Sequence, residues 1–178
     1  MQAGGSGSRH LKRRITMNFS PETFPIIEGH EPAASDAIAA TCDPVNLANA
    51  DGVWIIVHED YDTDATQLVM TLREGATSAV ALAGTYAVTA TWGGWKNITA
   101  QTSDAITALT AAATFTLDGE TAGNNCLWMF YFPAAALTSG RSWLHPTFAG
   151  GNAGNIANVL YILDRFRYKQ SAPPTQVA

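Results

Sequence analysis

The sequence predicts an all-β protein: an antiparallel β-sandwich or jelly-roll-like body carrying an extended N-terminal arm. Three observations lead there. Short β-branched and aromatic runs recur along the chain, Gly, Asp-Gly and Gly-Gly signals punctuate them, and no helical segments of useful length alternate with them. About eight strands follow from the pattern, and no internal repeat is visible. The chain divides into an arm at 1–32, a sandwich domain at 33–170 and a loose C-terminal tail at 171–178.

The elements follow in order. Residues 1–8 have Gly/Ser linker composition and cannot pack a core, and Met17 is an alternative first residue. Prolines at 21, 25 and 32 forbid a long helix and favour extended chain. Phe19, Phe24, Ile26 and Ile27 are then available to dock on an apolar surface. Ala33–Thr41 has the composition for a short helical turn. Val53–Val57 reads as a strand bounded by Asp51-Gly52 and His58-Glu59-Asp60. Thr66–Arg73 follows, with a break at Glu74-Gly75. Val80–Leu82 and Tyr86–Trp92 read as further strands, with Gly84 and Gly93-Gly94 as punctuation. Thr114–Leu117 alternates and closes on the turn pair Asp118-Gly119. Cys126–Phe132 is a continuous apolar run ended by Pro133, the pattern of a strand buried on both faces. Ser142–Phe148 and Asn158–Tyr168 complete the set. Ser103–Ala113 is the one competing helix, permitted by its Ala, Leu and Ile and weakened by its threonines.

Composition narrows the function. Apolar residues make up 47% and charged residues 14% of 178 residues, with seven Phe, five Trp and five Tyr. That combination excludes global disorder, and two cysteines exclude a disulfide-built mini-protein. No apolar run approaches a membrane span, and no apolar segment follows Arg14 as a secretory signal requires. The net charge of −5 is divided into blocks. Arg9, Lys12, Arg13 and Arg14 stand in a leader without acids, ten acids and no Lys or Arg fill 22–64, and the remainder is nearly neutral. Such separation marks a tail that meets a partner of opposite sign. The acidic body disfavours nucleic acid, so Arg9, Lys12, Arg13 and Arg14, with Phe19, Phe24 and Ile26, are the candidate protein-binding residues.

Candidate chemistry is sparse. Asp60, Asp62 and Asp64 could share one face of an extended segment and hold a hard cation, but Ala65 and Thr71 stand where a calcium-binding loop needs Gly and Glu. A solvated acidic loop is the favoured reading. Neither His10, His30, His58 and His145 nor Cys42 and Cys126 have zinc-ligand spacing, and the cysteines read as buried reduced thiols. There is no nucleophile elbow, phosphate loop or dinucleotide fingerprint. The expectation is a non-enzymatic protein without cofactor or metal. Trp92, Trp95 and Trp143 would line a carbohydrate site if exposed together, and otherwise fill a core edge or an oligomer contact.

In order along the chain, Asp51–Val57 (DGVWIIV), Leu68–Ala76 (LVMTLREGA), Thr114–Asp118 (TFTLD), Leu127–Tyr131 (LWMFY) and Asn158–Tyr168 (NVLYILDRFRY) precede a Pro-containing tail. This succession resembles small head-associated virion proteins of tailed phages and prophages and covers about two-thirds of the chain. The basic Gly/Ser-led arm departs from that pattern. The resemblance implies a capsid decoration or cement protein. It would bind the major capsid protein or other virion subunits as a homo-oligomer, with a trimer favoured, on a phage head assembled in the bacterial cytoplasm. It carries no catalytic residues with it. A neck, tail or spike component and a carbohydrate- or receptor-binding β-sandwich are the alternative readings.

Overall fold

Eleven strands dominate the described residues, 24–62 and 66–166 of a computed structural model. They are β1 (Ile26–Ala34), β2 (Val45–Asn46), β3 (Ala50–Tyr61), β4 (Leu68–Gly75), β5 (Tyr86–Ala87), β6 (Trp92–Asn97), β7 (Thr107–Ala112), β8 (Thr114–Leu117), β9 (Asn124–Pro133), β10 (Trp143–Gly150) and β11 (Ile156–Phe166). Two short helices, α1 (Ser35–Thr41) and α2 (Ser78–Leu82), and a 3-10 turn at Ala134–Ala136 complete the set.

All the strand pairings are antiparallel. One sheet has six strands in the order β1-β11-β3-β9-β6-β7; the other has five, with β2-β10-β4-β5 in line and β8 also paired to β4. The two sheets pack face to face, as in a sandwich. Alternation along β3 turns Val53, Ile55, Val57 and Tyr61 toward the second sheet. Phe130, Phe132, Tyr161 and Leu163 join them from β9 and β11, against Met70, Leu72 and Leu144 of β4 and β10. Burying these large side chains from both inner faces supplies the main stabilisation. Trp92 meets Phe115 and Phe130 edge to face and those two rings lie tilted to each other, all with centroids 4.5–5.0 Å apart, which ties β8 of one sheet to β6 and β9 of the other.

Several local expectations change. β1 starts at Ile26, inside the segment read as an arm, and pairs with β11 from Ile26↔Ile162 to Ala34↔Ile156. Pro32 is tolerated because β1 is an edge strand. Val80–Leu82 is helical rather than extended: Thr77 caps α2, its Oγ1 accepting from Val80 N at 3.3 Å, and alanines follow. Glu74-Gly75 continues β4 instead of breaking it. Gly93-Gly94 lies within β6, where a Cβ on Gly94 would meet the Phe130 ring and stand 2.5 Å from the Met129 carbonyl. Close strand packing, not turn geometry, requires that glycine. The competing helix at 103–113 is replaced by β7, because pairing to β6 overrides a weak helical preference. The buried cysteines are free thiols, as their sequence context suggested.

Candidate functional site: an apolar outer sheet face

The outer face of the six-stranded sheet is built by residues alternating with the core. Two adjacent rows cross it. The first runs Ile26, Ile162, Trp54, Tyr131, Gly93 from β1 to β6; the second runs Glu28, Leu160, Ile56, Met129, Trp95, Ala108 from β1 to β7. Trp54 lies 5.6 Å from Trp95 and 5.1 Å from Tyr131 between ring centroids, so three aromatic rings form one platform. Beyond the second row the face is mixed: Asn158, His58 and Leu127 share the next row, and Ile156, Asp60 and Asn125 the one after.

No described helix lies across this face. α1 places Ile38 in the core, α2 packs on β4 and β10, and the 3-10 turn sets Ala134 and Ala136 against the core. The large side chains of the two rows are half-buried against one another, and Ile26 remains 54% exposed. The apolar run at Cys126–Phe132 therefore has one buried face and one outer face, not two buried faces. Leu127, Met129 and Tyr131 lie half-buried on that outer face. A contiguous apolar patch is the mark of an interaction surface.

The buried polar groups do structural work instead. Glu74 accepts from Thr138 N at 2.9 Å, Thr138 Oγ1 at 2.5 Å and Arg141 at 2.5 Å, and Arg141 stacks 3.7 Å from the Tyr86 ring centroid. Burial pushes the Glu74 carboxyl up, but these donors outweigh it and hold it below its ordinary value. Tyr161 OH donates to Asp43 O at 2.6 Å and lies 3.3 Å from Cys42 Sγ. His145 joins the ends of both helices, with Nε2 2.8 Å from Cys42 O and Nδ1 3.2 Å from Ala81 O; burial lowers its pKa. Glu59 is the exception in kind. It points inward from β3, takes a bond from Asn155 Nδ2 at 3.2 Å, and its Oε2 is buried with no partner. Burial raises its pKa to about 7 against hydrogen bonds from Asn155 and Ser35.

The residues singled out by sequence scatter. Arg9, Lys12, Arg13, Arg14 and Phe19 lie outside the described residues; Phe24 is half-buried and Ile26 opens the outer face. Trp92 is 3% exposed in the core, Trp95 belongs to the outer face and Trp143 sits on β10 of the other sheet, so the three tryptophans do not converge. Asp60 and Asp62 are exposed, Asp64 lies outside the described residues, and no group of three His, Cys, Asp or Glu able to hold a metal occurs among the described residues. Sequence reading missed the platform of Trp54, Trp95 and Tyr131. Its signal was the apolar residues at the outward parity of three strands. No protein-family model matches the chain, and no curated protein or solved structure matches it.

Proposed function

We propose that this protein is a structural subunit that works by docking, as a capsid decoration or cement protein of a tailed-phage head, and that it catalyses no reaction. The carrying observation is the outer face of the six-stranded sheet, apolar over β11, β3 and β9, extended by Trp95 of β6 and Ile26 of β1, and covered by no described helix. An apolar face of that breadth stabilises a lasting contact rather than a passing encounter. The low charge of the body agrees with permanent assembly. The order of strand segments supplies the shell as the partner, and the basic leader adds a second contact to acidic surface.

The test is co-sedimentation of the purified protein with heads that lack it, followed by electron microscopy. Wild-type protein should bind at a capsid-like copy number and raise the heat resistance of the particles. Ile56→Lys and Leu160→Lys should abolish binding while the free protein keeps its thermal transition. Binding unaffected by both substitutions would refute the assignment of this face. The platform of Trp54, Trp95 and Tyr131 also suits stacking on a sugar, so a glycan array is the control; strong glycan binding without head binding would favour a carbohydrate-recognition module.

A further inference from the structure

The two edges of the six-stranded sheet are treated differently. β1 carries Glu28, Glu31 and Pro32 and loses register twice, between Glu28 and His30 and between His30 and Ala33. Charges, proline and bulges are the devices that stop an edge from pairing with another chain. β7, at the opposite edge, reads TALTAA: six residues with no charge and no proline, mostly exposed, paired on one side to β6. Ile106, just before it, is 57% exposed. The edges of the other sheet are short by comparison, two residues in β2 and in β5 and four in β8.

The leader contains a segment with the sequence pattern of a strand. Ile15-Thr16-Met17-Asn18-Phe19-Ser20 alternates apolar and polar residues without a break, the pattern of a half-buried strand. We propose that β7 accepts residues 15–20 of a second copy of this chain as an added strand, so that copies link edge to arm.

Reach excludes the chain's own arm. Leu163 N donates to Pro25 O at 3.0 Å, which ties Pro25 to the β1–β11 side of the sheet. Five residues separate Pro25 from Ser20 and span at most about 18 Å fully extended. A strand added beyond β7 lies six strand spacings from β1, about 29 Å. The donor and the acceptor therefore belong to different copies. Because they sit at opposite edges, the contact is head-to-tail and closes into a ring or runs on. Main-chain hydrogen bonds would give the affinity, and Ile15, Met17 and Phe19 would extend one apolar face. The basic run Arg9–Arg14 immediately upstream would then lie along the neighbour, whose exposed Asp104 stands just before β7.

Two measurements on the full-length chain test this. Asn18→Cys and Thr110→Cys proteins are mixed under oxidising conditions, and a disulfide between the two variants is expected, since Cys42 and Cys126 are buried. Analytical ultracentrifugation of Thr110→Lys, a guard placed at an exposed position, should show self-association weakened roughly tenfold or more with the thermal transition unchanged. Three results would overturn the proposal: a wild-type chain that sediments as a monomer, Thr110→Cys forming only symmetric β7–β7 disulfides, or assembly indifferent to Thr110→Lys. Any of these leaves the outer-face reading standing, because Ile56 and Leu160 lie on the central strands and not on the β7 edge.

Discussion

Asn155, in the loop that leads into β11, reaches into the protein interior and donates to Glu59 Oε1 at 3.2 Å, a contact between residues 96 positions apart. It satisfies one carboxylate oxygen and leaves the other, Oε2, buried without a partner. The strand between Val53 and Tyr61 thus has a carboxyl where its neighbours on the same side are apolar.

That placement makes stability depend on pH. The folded-state pKa of Glu59 is raised to about 7 from 4.5, so the native state favours the protonated acid. Its contribution is complete below the unfolded value and is lost as pH rises through about 7. At about 1.4 kcal/mol per pH unit the loss is on the order of 3 kcal/mol. Thermal melts should show the transition falling from mildly acidic to mildly alkaline buffer, and Glu59→Gln should flatten that fall and melt higher at the alkaline end. A Glu59→Gln profile parallel to wild type would contradict the assignment.

Gly94, on β6 next to the edge strand β7, sits under the Phe130 ring. Gly94→Ala should cost roughly 1–3 kcal/mol through overpacking, read as a lower urea midpoint with an unchanged slope. Gly123, whose added Cβ meets nothing within 4 Å, has φ +86°, so Gly123→Ala tests backbone strain separately from crowding.

The Glu74–Thr138–Arg141 clasp fastens the 134–141 segment to β4. Arg141→Ala should destabilise by roughly 2–3 kcal/mol, because it removes a charged donor from a carboxylate that stays buried. Glu74 is held below its ordinary pKa, so the clasp contributes above the unfolded carboxyl value and fades as pH falls through the lowered one. Hydrogen exchange of amides 134–141 should quicken in Arg141→Ala and, in wild type, on acidification.

Burial pushes both thiols up to about 12, by loss of solvation first. Iodoacetamide should leave Cys42 and Cys126 unmodified in the native protein and label both in denaturant, with mass spectrometry as the readout. Rapid native labelling of either would show that the inter-sheet space opens.

Much of the sandwich was legible in the sequence. The β-branched runs at Val53–Val57 and in the 158–166 stretch are strands because little else accommodates such residues in so short a space. The parity that turns Val53, Ile55 and Val57 inward also turns Glu59 inward, so the buried carboxyl was readable in principle. The outer face was not. An unbroken apolar run such as CLWMFYF is the same string whether the second face meets a layer of its own molecule or stands ready for another. β7 escaped for a different reason. Thr and Ala permit helix or strand, and only its hydrogen bonding to β6 decides.

The position of β11 sets the schedule of maturation. It lies between β1 and β3, so the first strand of the sheet acquires its neighbour only when residues 156–166 arrive. During synthesis β1 waits without its only partner in the sheet, and β3 with one side open, the circumstance in which nascent chains aggregate or recruit chaperones. Premature termination anywhere before Ile156 would leave β1 and one side of β3 unpaired.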